Sequence, residues 1–260
     1  MKPERPPVLI AALAIIAVAF FVLPLIGLVY RAQWETALDD LTSPEALTAL
    51  RLSFVVSLAA TAVALLLGVP LAWVYARVPF RGRDVARALT TLPMILPPVV
   101  GGVALLFAFG RRGLFGPALE AIGIRVPFTT FGAILAATFV AMPFLVLTVE
   151  AGLRSMDRRY EDAARTLGAG RWLVFRRVTL PLIAPSVFAG AVLCWARALG
   201  EFGATITFAG NFPGTTQTLP LAVYIALETR PEVAIMLSLV LLGVALAILV
   251  VMRDRYLRAF

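Results

Sequence analysis

The sequence predicts an all-α integral membrane protein with six transmembrane helices. Of its 260 residues, 61% are apolar and 15% are charged, against about 45–50% and about 25% in soluble domains. The mean hydropathy is +0.93, and long uncharged runs alternate with short polar segments. A soluble domain could not cover this much apolar surface, so the hydrocarbon core of a bilayer must cover it.

Each uncharged run reaches or approaches the roughly 20 residues that a helix needs to cross a bilayer core of about 30 Å. The runs are 8–29, 52–76, 88–109, 126–149, 178–196 and 233–252. The first follows Lys2 and Arg5 and therefore also resembles a secretory signal peptide. It is longer than the usual apolar region of about 7–15 residues, and no small-residue cleavage site precedes Arg31. We predict a retained helix.

A helix start is predicted at Ser43, ahead of the second run. Ser43 can cap the helix, Pro44 suits its first position, and Glu45 suits the positive end of the helix dipole. This start, together with the end of the last span near residue 253, divides the chain into three regions. They are an N-terminal transmembrane helix with an outer loop (1–42), a transmembrane domain (43–253) and a cytoplasmic tail (254–260).

The distribution of basic residues predicts that both termini are cytoplasmic. The N-terminal tail, residues 77–87, residues 154–177 and the C-terminal tail hold 16 of the 23 Lys and Arg residues, whereas the alternate segments hold 6. Short segments rich in Lys and Arg stay on the cytoplasmic side of a membrane. The net charge of +8 therefore reflects membrane topology and predicts no nucleic-acid partner.

Missing residue types exclude several kinds of chemistry. The sequence has no histidine, so a Ser-His-Asp triad or a histidine metal site cannot form within it. Lys2 is the only lysine, which excludes a G-x-x-x-x-G-K-[ST] phosphate loop for ATP. The single cysteine, Cys194, is predicted to be a small buried apolar side chain. We predict a protein that is not an enzyme and binds no cofactor or metal itself.

The segment 155–181 contains a predicted amphipathic helix. Asp157 can cap its start, and Gly168 or Gly170 can end it. Its apolar positions, at helical spacing, are Tyr160, Ala163, Ala164 and Leu167. Its rim charges are Arg158, Arg159, Glu161, Asp162 and Arg165. The two central alanines let another protein approach closely, whereas an interfacial helix with Trp172 among the lipid headgroups fits the same spacing.

The same segment resembles the EAA loop in permease subunits of bacterial ABC importers. That pattern is Glu-Ala-Ala, three residues, Gly, nine residues, Ile, one residue and Leu-Pro. The corresponding residues here are Asp162, Ala163, Ala164, Gly168, Val178, Leu180 and Pro181. Asp replaces Glu and Val replaces Ile, and Glu161 can supply the longer carboxylate from the neighbouring position. The resemblance covers about residues 43–253.

In that family the loop is a coupling helix that sits in a cleft of a separate ATPase subunit. The resemblance implies a type I ABC importer permease fold in the bacterial cytoplasmic membrane. It assigns ATPase coupling to Tyr160, Glu161, Asp162, Ala163, Ala164, Leu167, Gly168, Leu180 and Pro181. The expected partners are a second copy of the chain, a dimer of the ATPase that uses ATP and Mg, a periplasmic or extracellular oxyanion-binding protein, and membrane lipid.

The third run is predicted to be bent. Pro97 and Pro98 remove two backbone donors, and Gly101 and Gly102 remove side-chain bulk. Irregular backbone at membrane depth is tolerated only against protein or along a water-filled path. Lining of a transport pathway and a purely structural kink both fit this pattern.

Arg197 and Glu201 are charged residues within or beside the fifth run. Charges at membrane depth are costly and must face protein or water, although a spacing of four residues also lets these two pair along one helix. After Asn211, the apolar piece 219–227 is too short to span and predicts an outer or re-entrant segment. The candidate pathway or gate residues are Pro97, Pro98, Gly101, Gly102, Arg197, Glu201 and Asn211.

Residues 92–116 and 197–228 resemble the molybdate branch of oxyanion permeases. The sulfate branch has Glu-Tyr-Gly-Ser where this chain has Glu201-Phe-Gly-Ala. The resemblance implies transport of molybdate, or of tungstate, with sulfate and thiosulfate as the alternative substrates. Two other classes of protein are an ion-coupled secondary transporter and an intramembrane enzyme acting on lipids. The chemistry of either would depend on a few carboxylates such as Glu150 and Glu228.

Overall fold

The computed structural model describes residues 7–256, with side chains described to residue 250, and all regular secondary structure in that range is helical. Lys2, Arg5 and residues 257–260 of the predicted tail lie outside it. The helices are α1 (Val8–Tyr30), α2 (Ala37–Thr42), α3 (Pro44–Arg77), α4 (Arg83–Thr91), α5 (Pro98–Phe109), α6 (Gly116–Ala121), α7 (Thr130–Ser155), α8 (Arg159–Thr166), α9 (Arg171–Val174), α10 (Leu180–Leu199), α11 (Gly203–Phe208), α12 (Leu219–Thr229) and α13 (Pro231–Tyr256).

The described residues contain five helical segments long and apolar enough to cross a membrane, and a sixth if one bent pair counts as a span. The bent pair is α4 with its following 3₁₀ turn (Leu92–Met94), joined to α5 at an angle of 117°. This agrees with the six predicted spans and with the predicted bend. Helix α12 has 11 residues and is too short to cross, as expected.

The predicted start of the second span is confirmed. The Ser43 hydroxyl accepts a hydrogen bond from the Ala46 N–H at 3.3 Å, and Pro44 is the first residue of α3. The predicted division near Ser43 falls between α2 and α3.

Small side chains bring the central helices close together. Helices α3, α7 and α10 pack on one another more extensively than any other set of three. On α3 the small residues recur every four positions, at Ala60, Ala64, Gly68 and Ala72. On α7 they recur at Ala133, Ala137 and Ala141, each fully buried. A Cβ atom on Gly68 would lie 2.7 Å from Leu145 Cδ2, so α3 approaches α7 too closely for a larger residue.

Polar contacts join the helices of this bundle to one another and to α12. The Trp195 indole N–H in α10 donates to the Ser57 hydroxyl in α3 at 3.0 Å, and Cys194 beside it is fully buried, as predicted. The Ser53 hydroxyl accepts from the Leu219 N–H at 2.6 Å, which ties the start of α12 to α3. Each of these contacts satisfies a polar group that lipid could not satisfy.

Two Arg-rich segments, 77–87 and 154–177, meet at one end of the bundle, which we term the basic end. Arg158 Nη2 donates to the Ala76 carbonyl at 3.3 Å. Arg87 Nη2 lies 2.6 Å from Glu150 Oε1, and Arg154 Nη2 lies 2.8 Å from the same oxygen. Glu150, which the sequence left open as a transport carboxylate, is therefore held between two arginines.

Candidate functional site

The amphipathic helix predicted in segment 155–181 is present as α8, at the basic end. Asp157 Oδ1 accepts from the Arg159 N–H at 2.9 Å. After α8 the chain turns at Gly168, whose φ is +83°, a conformation that favours glycine. The Gly168 N–H donates to the Arg165 carbonyl at 2.9 Å and the Ala169 N–H donates to the Ala164 carbonyl at 3.1 Å, which closes the helix end.

One side of α8 is apolar and open, and we term it the docking face: Tyr160, Ala163, Ala164 and Leu167. Tyr160 is 58% exposed and Leu167 is 89% exposed. Ala163 between them is also exposed. Asp162 is exposed and lies 3.2 Å from Arg165 Nη1. The face thus combines protruding apolar side chains with a charged rim, the arrangement expected for a surface that packs on another protein.

Glu161 differs from the expectation that it is a rim charge. The residue is only 3% exposed, and its Oε2 lies 3.1 Å from Arg77 Nε. Its Oε1 accepts from the Thr179 hydroxyl at 2.7 Å. The carboxylate turns inward because the buried Arg77 guanidinium needs an opposite charge. Asp162, and not Glu161, is therefore the acid on the outer surface.

Leu180 and Pro181 lie outside α8, at the start of α10. The chain reaches them through α9 and a π-helical turn, Phe175–Thr179. Pro181 lies inside the continuous helical segment Arg171–Leu199, where it has no N–H to donate to the preceding turn. Their coupling assignment stays a prediction.

Two of the predicted pathway stretches meet in what we term the broken-helix site: Pro97, Pro98, Gly102, Gly203 and the pair Arg197 and Glu201. A Cβ atom on Gly203 would lie 2.7 Å from Pro98 Cβ. One on Gly102 would lie 2.8 Å from the Ala204 carbonyl oxygen and 2.7 Å from Thr207 Cβ. The break before α5 therefore packs directly on the break between α10 and α11. Gly101 instead faces the Phe139 ring of α7.

Arg197 and Glu201 pair along the chain, as their spacing allows. Arg197 Nη1 lies 2.7 Å from Glu201 Oε2, and Glu201 Oε1 accepts from the Ala204 N–H at 2.8 Å. The Glu201 side chain is 2% exposed and that of Arg197 is 28% exposed. Asn211 lies beyond α11, half-buried. The carboxylate thus accepts a hydrogen bond at the break, while the Arg197 side chain remains partly accessible.

Sequence reasoning missed the partners of the buried carboxylates. Arg77 and Thr179 on Glu161, and Arg87 on Glu150, were not assigned to any site. Arg77 and Arg87 are the first and last residues of a short basic segment, which was a usable signal that both lie near α8, in the other basic segment. Nothing in the spacing of the sequence indicated which carboxylate each arginine contacts.

A helical bundle with five or six candidate spans, two helix breaks packed on each other and an exposed helix between two spans defines the class of membrane transport subunits. The chain belongs to the family of binding-protein-dependent transport system inner membrane components, whose model matches residues 64–259. This family is a different class from the ion-coupled transporter and the lipid enzyme that composition left open.

Relatives and solved structures agree with the family. The chain is 49% identical over 234 residues to the molybdenum transport system permease protein of Mycobacterium tuberculosis, covering 89% of this chain and 88% of that protein. It is 42% identical to the Escherichia coli protein of the same description, covering 84% and 95%. The sulfate transport system permease protein of Salmonella typhimurium is 36% identical, covering 79% and 76%. A bacterial ABC transporter involved in alginate import has the same fold, with a TM-score of 0.71, 20% identity and coverage of 96% and 95%.

Proposed function

We propose that this chain is the membrane permease subunit of an ATP-driven importer that carries molybdate, with tungstate as a second substrate. The observation that carries the proposal is the 49% identity to a molybdenum transport permease across 89% of the chain. That alignment is long enough to include both the docking face and the broken-helix site. The sulfate permease relative, at 36% identity, makes sulfate the second candidate.

The importer contains two copies of this chain, two copies of an ATPase that binds ATP and Mg, and a separate oxyanion-binding protein. The open docking face supports the ATPase contact. One exposed α8 per chain and a pair of ATPase subunits support two copies of the chain, related by symmetry. The Arg-rich basic end supports a cytoplasmic position for α8.

In this mechanism ATP closes the ATPase subunits, and the docked α8 helices move with them. The bundle then switches between an inward-open and an outward-open arrangement as a rigid-body change. Since the chain has no phosphate loop, its contribution is mechanical. Its own residues bind the ATPase, transmit its movement and line the path.

The broken-helix site is the proposed path of the anion. Arg197 supplies positive charge there, and its pairing with Glu201 keeps the attraction weak enough for a dianion to leave again. In the assembled importer, Arg197→Ala should abolish molybdate uptake, whereas Arg197→Lys should retain part of it. Uptake by Arg197→Ala at the wild-type rate would remove this residue from the path.

The function is tested by reconstituting the chain with the ATPase and binding protein of its transport system. ATP hydrolysis and uptake are measured with molybdate, tungstate and sulfate in turn. Stimulation by molybdate and tungstate is expected. Stimulation by sulfate alone would establish the second candidate, and no association with the ATPase would overturn the importer.

The docking face is tested by Ala163→Arg. A long charged side chain in the centre of that face should prevent packing and abolish capture of the ATPase in a pull-down. Ala121→Arg is the matched control, because Ala121 is exposed at the end of α6 and belongs to neither site. Normal capture by Ala163→Arg would refute the docking assignment.

A further inference from the structure

A single carboxylate joins the docking helix to two spans. Glu161 in α8 contacts Arg77, the last residue of α3, with 3.1 Å between Oε2 and Nε. Its other oxygen accepts from Thr179, the residue immediately before α10, at 2.7 Å. The side chains of Arg77 and Glu161 are only 8% and 4% exposed. Glu161 thus contacts the end of α3 and the π-helical turn of the helix that continues into α10.

The chain segments that connect α8 to its neighbouring helices transmit movement less directly than this contact does. Towards α7, the chain passes through Met156 in an extended conformation, with ψ of 130°. Towards α9, it passes through Gly168 and Gly170, both outside helices. Non-helical segments of this kind absorb rotation instead of transmitting it. Movement of α8 therefore reaches the bundle through side-chain contacts, which include those of Glu161 with Arg77 and Thr179 and that of Arg158 with the Ala76 carbonyl.

Stability alone gives a poor reason for this arrangement. A buried ion pair seldom stabilises a fold more than well-packed apolar residues would, because both charges must be desolvated. Thr179, which completes the arrangement, ends a π-helical turn, and such turns are rare and occur mostly at functional positions. Glu161, Arg77 and Thr179 together maintain a specific geometry between α8, α3 and α10.

We infer that Glu161 is a positioning residue that makes α3 and α10 follow the docking helix as one body, so that ATP hydrolysis is coupled to opening of the path. Arg77 and Thr179 are its partners. This inference rests on the proposed function. It separates the two neighbouring acids of the loop: Asp162 faces the ATPase, and Glu161 faces the spans.

The test is Glu161→Gln in the complete importer, with Glu120→Gln as the matched control. Gln keeps the shape and can still accept from Thr179, but it loses the charge that holds Arg77. Glu120 also pairs with an arginine, Arg111, at 3.1 Å, but on the surface and away from α8. For Glu161→Gln we expect normal ATPase capture, retained ATP hydrolysis and about a tenfold fall in anion transported per ATP hydrolysed. Glu120→Gln should leave this ratio unchanged.

Two further variants keep the inference falsifiable if Glu161→Gln does not fold. Thr179→Val should lower the transport ratio about threefold, and the double exchange Arg77→Glu with Glu161→Arg should restore part of the ratio that either single exchange loses. A wild-type ratio in Thr179→Val and in a folded Glu161→Gln would overturn the inference. Loss of ATPase capture by folded Glu161→Gln would also overturn it, because Glu161 would then be a docking contact. Failure of the wild-type chain to bind the ATPase would instead overturn the proposed function.

Discussion

Helices α1 and α7 have similar lengths but opposite surroundings. In α1 the most apolar window has a mean hydropathy of 3.0, yet none of its residues is buried within the chain. In α7 the corresponding value is only 2.2, and 61% of the window is buried. The more apolar helix is therefore the one that lies outside the bundle.

This difference follows from the solvent. Lipid tails are as apolar as leucine, so hydropathy inserts a helix into the membrane without drawing it against its neighbours. Helix α7 packs because it carries small residues such as Ala133, Ala137 and Ala141, and because Glu150 binds arginines. No two of the five alanines of α1 are four positions apart, and lipid accommodates its large apolar side chains equally well. Among the described residues, α1 packs on α13 more than on any other helix.

The largest contrast is expected for glycine-to-leucine exchanges. A Cβ atom on Gly190 in α10 would lie 3.3 Å from both Cα and O of Leu145 in α7, whereas nothing lies within 4 Å of one on Gly27 in α1. Gly190→Leu should lower the free energy of unfolding by about 3 kcal/mol through overpacking, and Gly27→Leu should leave it nearly unchanged. Thermal unfolding of the purified protein in detergent measures both. Equal losses of unfolding free energy in the two variants would contradict the difference in packing between α1 and the bundle.

A smaller contrast is expected when leucine is shortened. Leu145 in α7 is fully buried, whereas Leu23 in α1 is 63% exposed. Leu145→Ala should cost about 2 kcal/mol, because it removes packing contacts and leaves a cavity. Leu23→Ala should stay within about 0.5 kcal/mol of wild type. Unfolding in detergent again serves as the measurement, and a large loss for Leu23→Ala would show that α1 is packed against protein.

Local features of the fold were predictable from the sequence. Hydropathy located the spans, and the start of α3 followed from Ser43 and Pro44. The apolar spacing of α8, its end at Gly168 and the pairing of Arg197 with Glu201 also followed. Each of these features depends on residues within a few positions of one another, where helix geometry fixes which side chains meet.

Contacts between distant parts of the chain were not predictable. The sequence marked Glu161 as a rim charge, but its partner Arg77 is 84 residues away, and only the packing of α8 on α3 turns the carboxylate inward. The bend at Pro98 and the pair Arg197 and Glu201 were singled out separately, yet nothing in either stretch showed that Gly203, beside this pair, packs on Pro98. The close fit of Gly68 on Leu145 was likewise invisible, because a glycine in an apolar run has the same hydropathy wherever it faces.

The sequence by itself determined that this is a helical membrane protein with no phosphate loop for ATP and with an amphipathic loop helix. Composition and short-range periodicity are sufficient for these conclusions, because a membrane fixes span lengths and a helix fixes its own faces. The tertiary structure alone decided that Asp162 faces outward and Glu161 inward. It also decided that the helix break before α5 packs on the break between α10 and α11, and which apolar helix remains outside the bundle. Those outcomes depend on close packing between helices far apart in the chain, where the fit of small residues and the pairing of buried charges outweigh hydropathy.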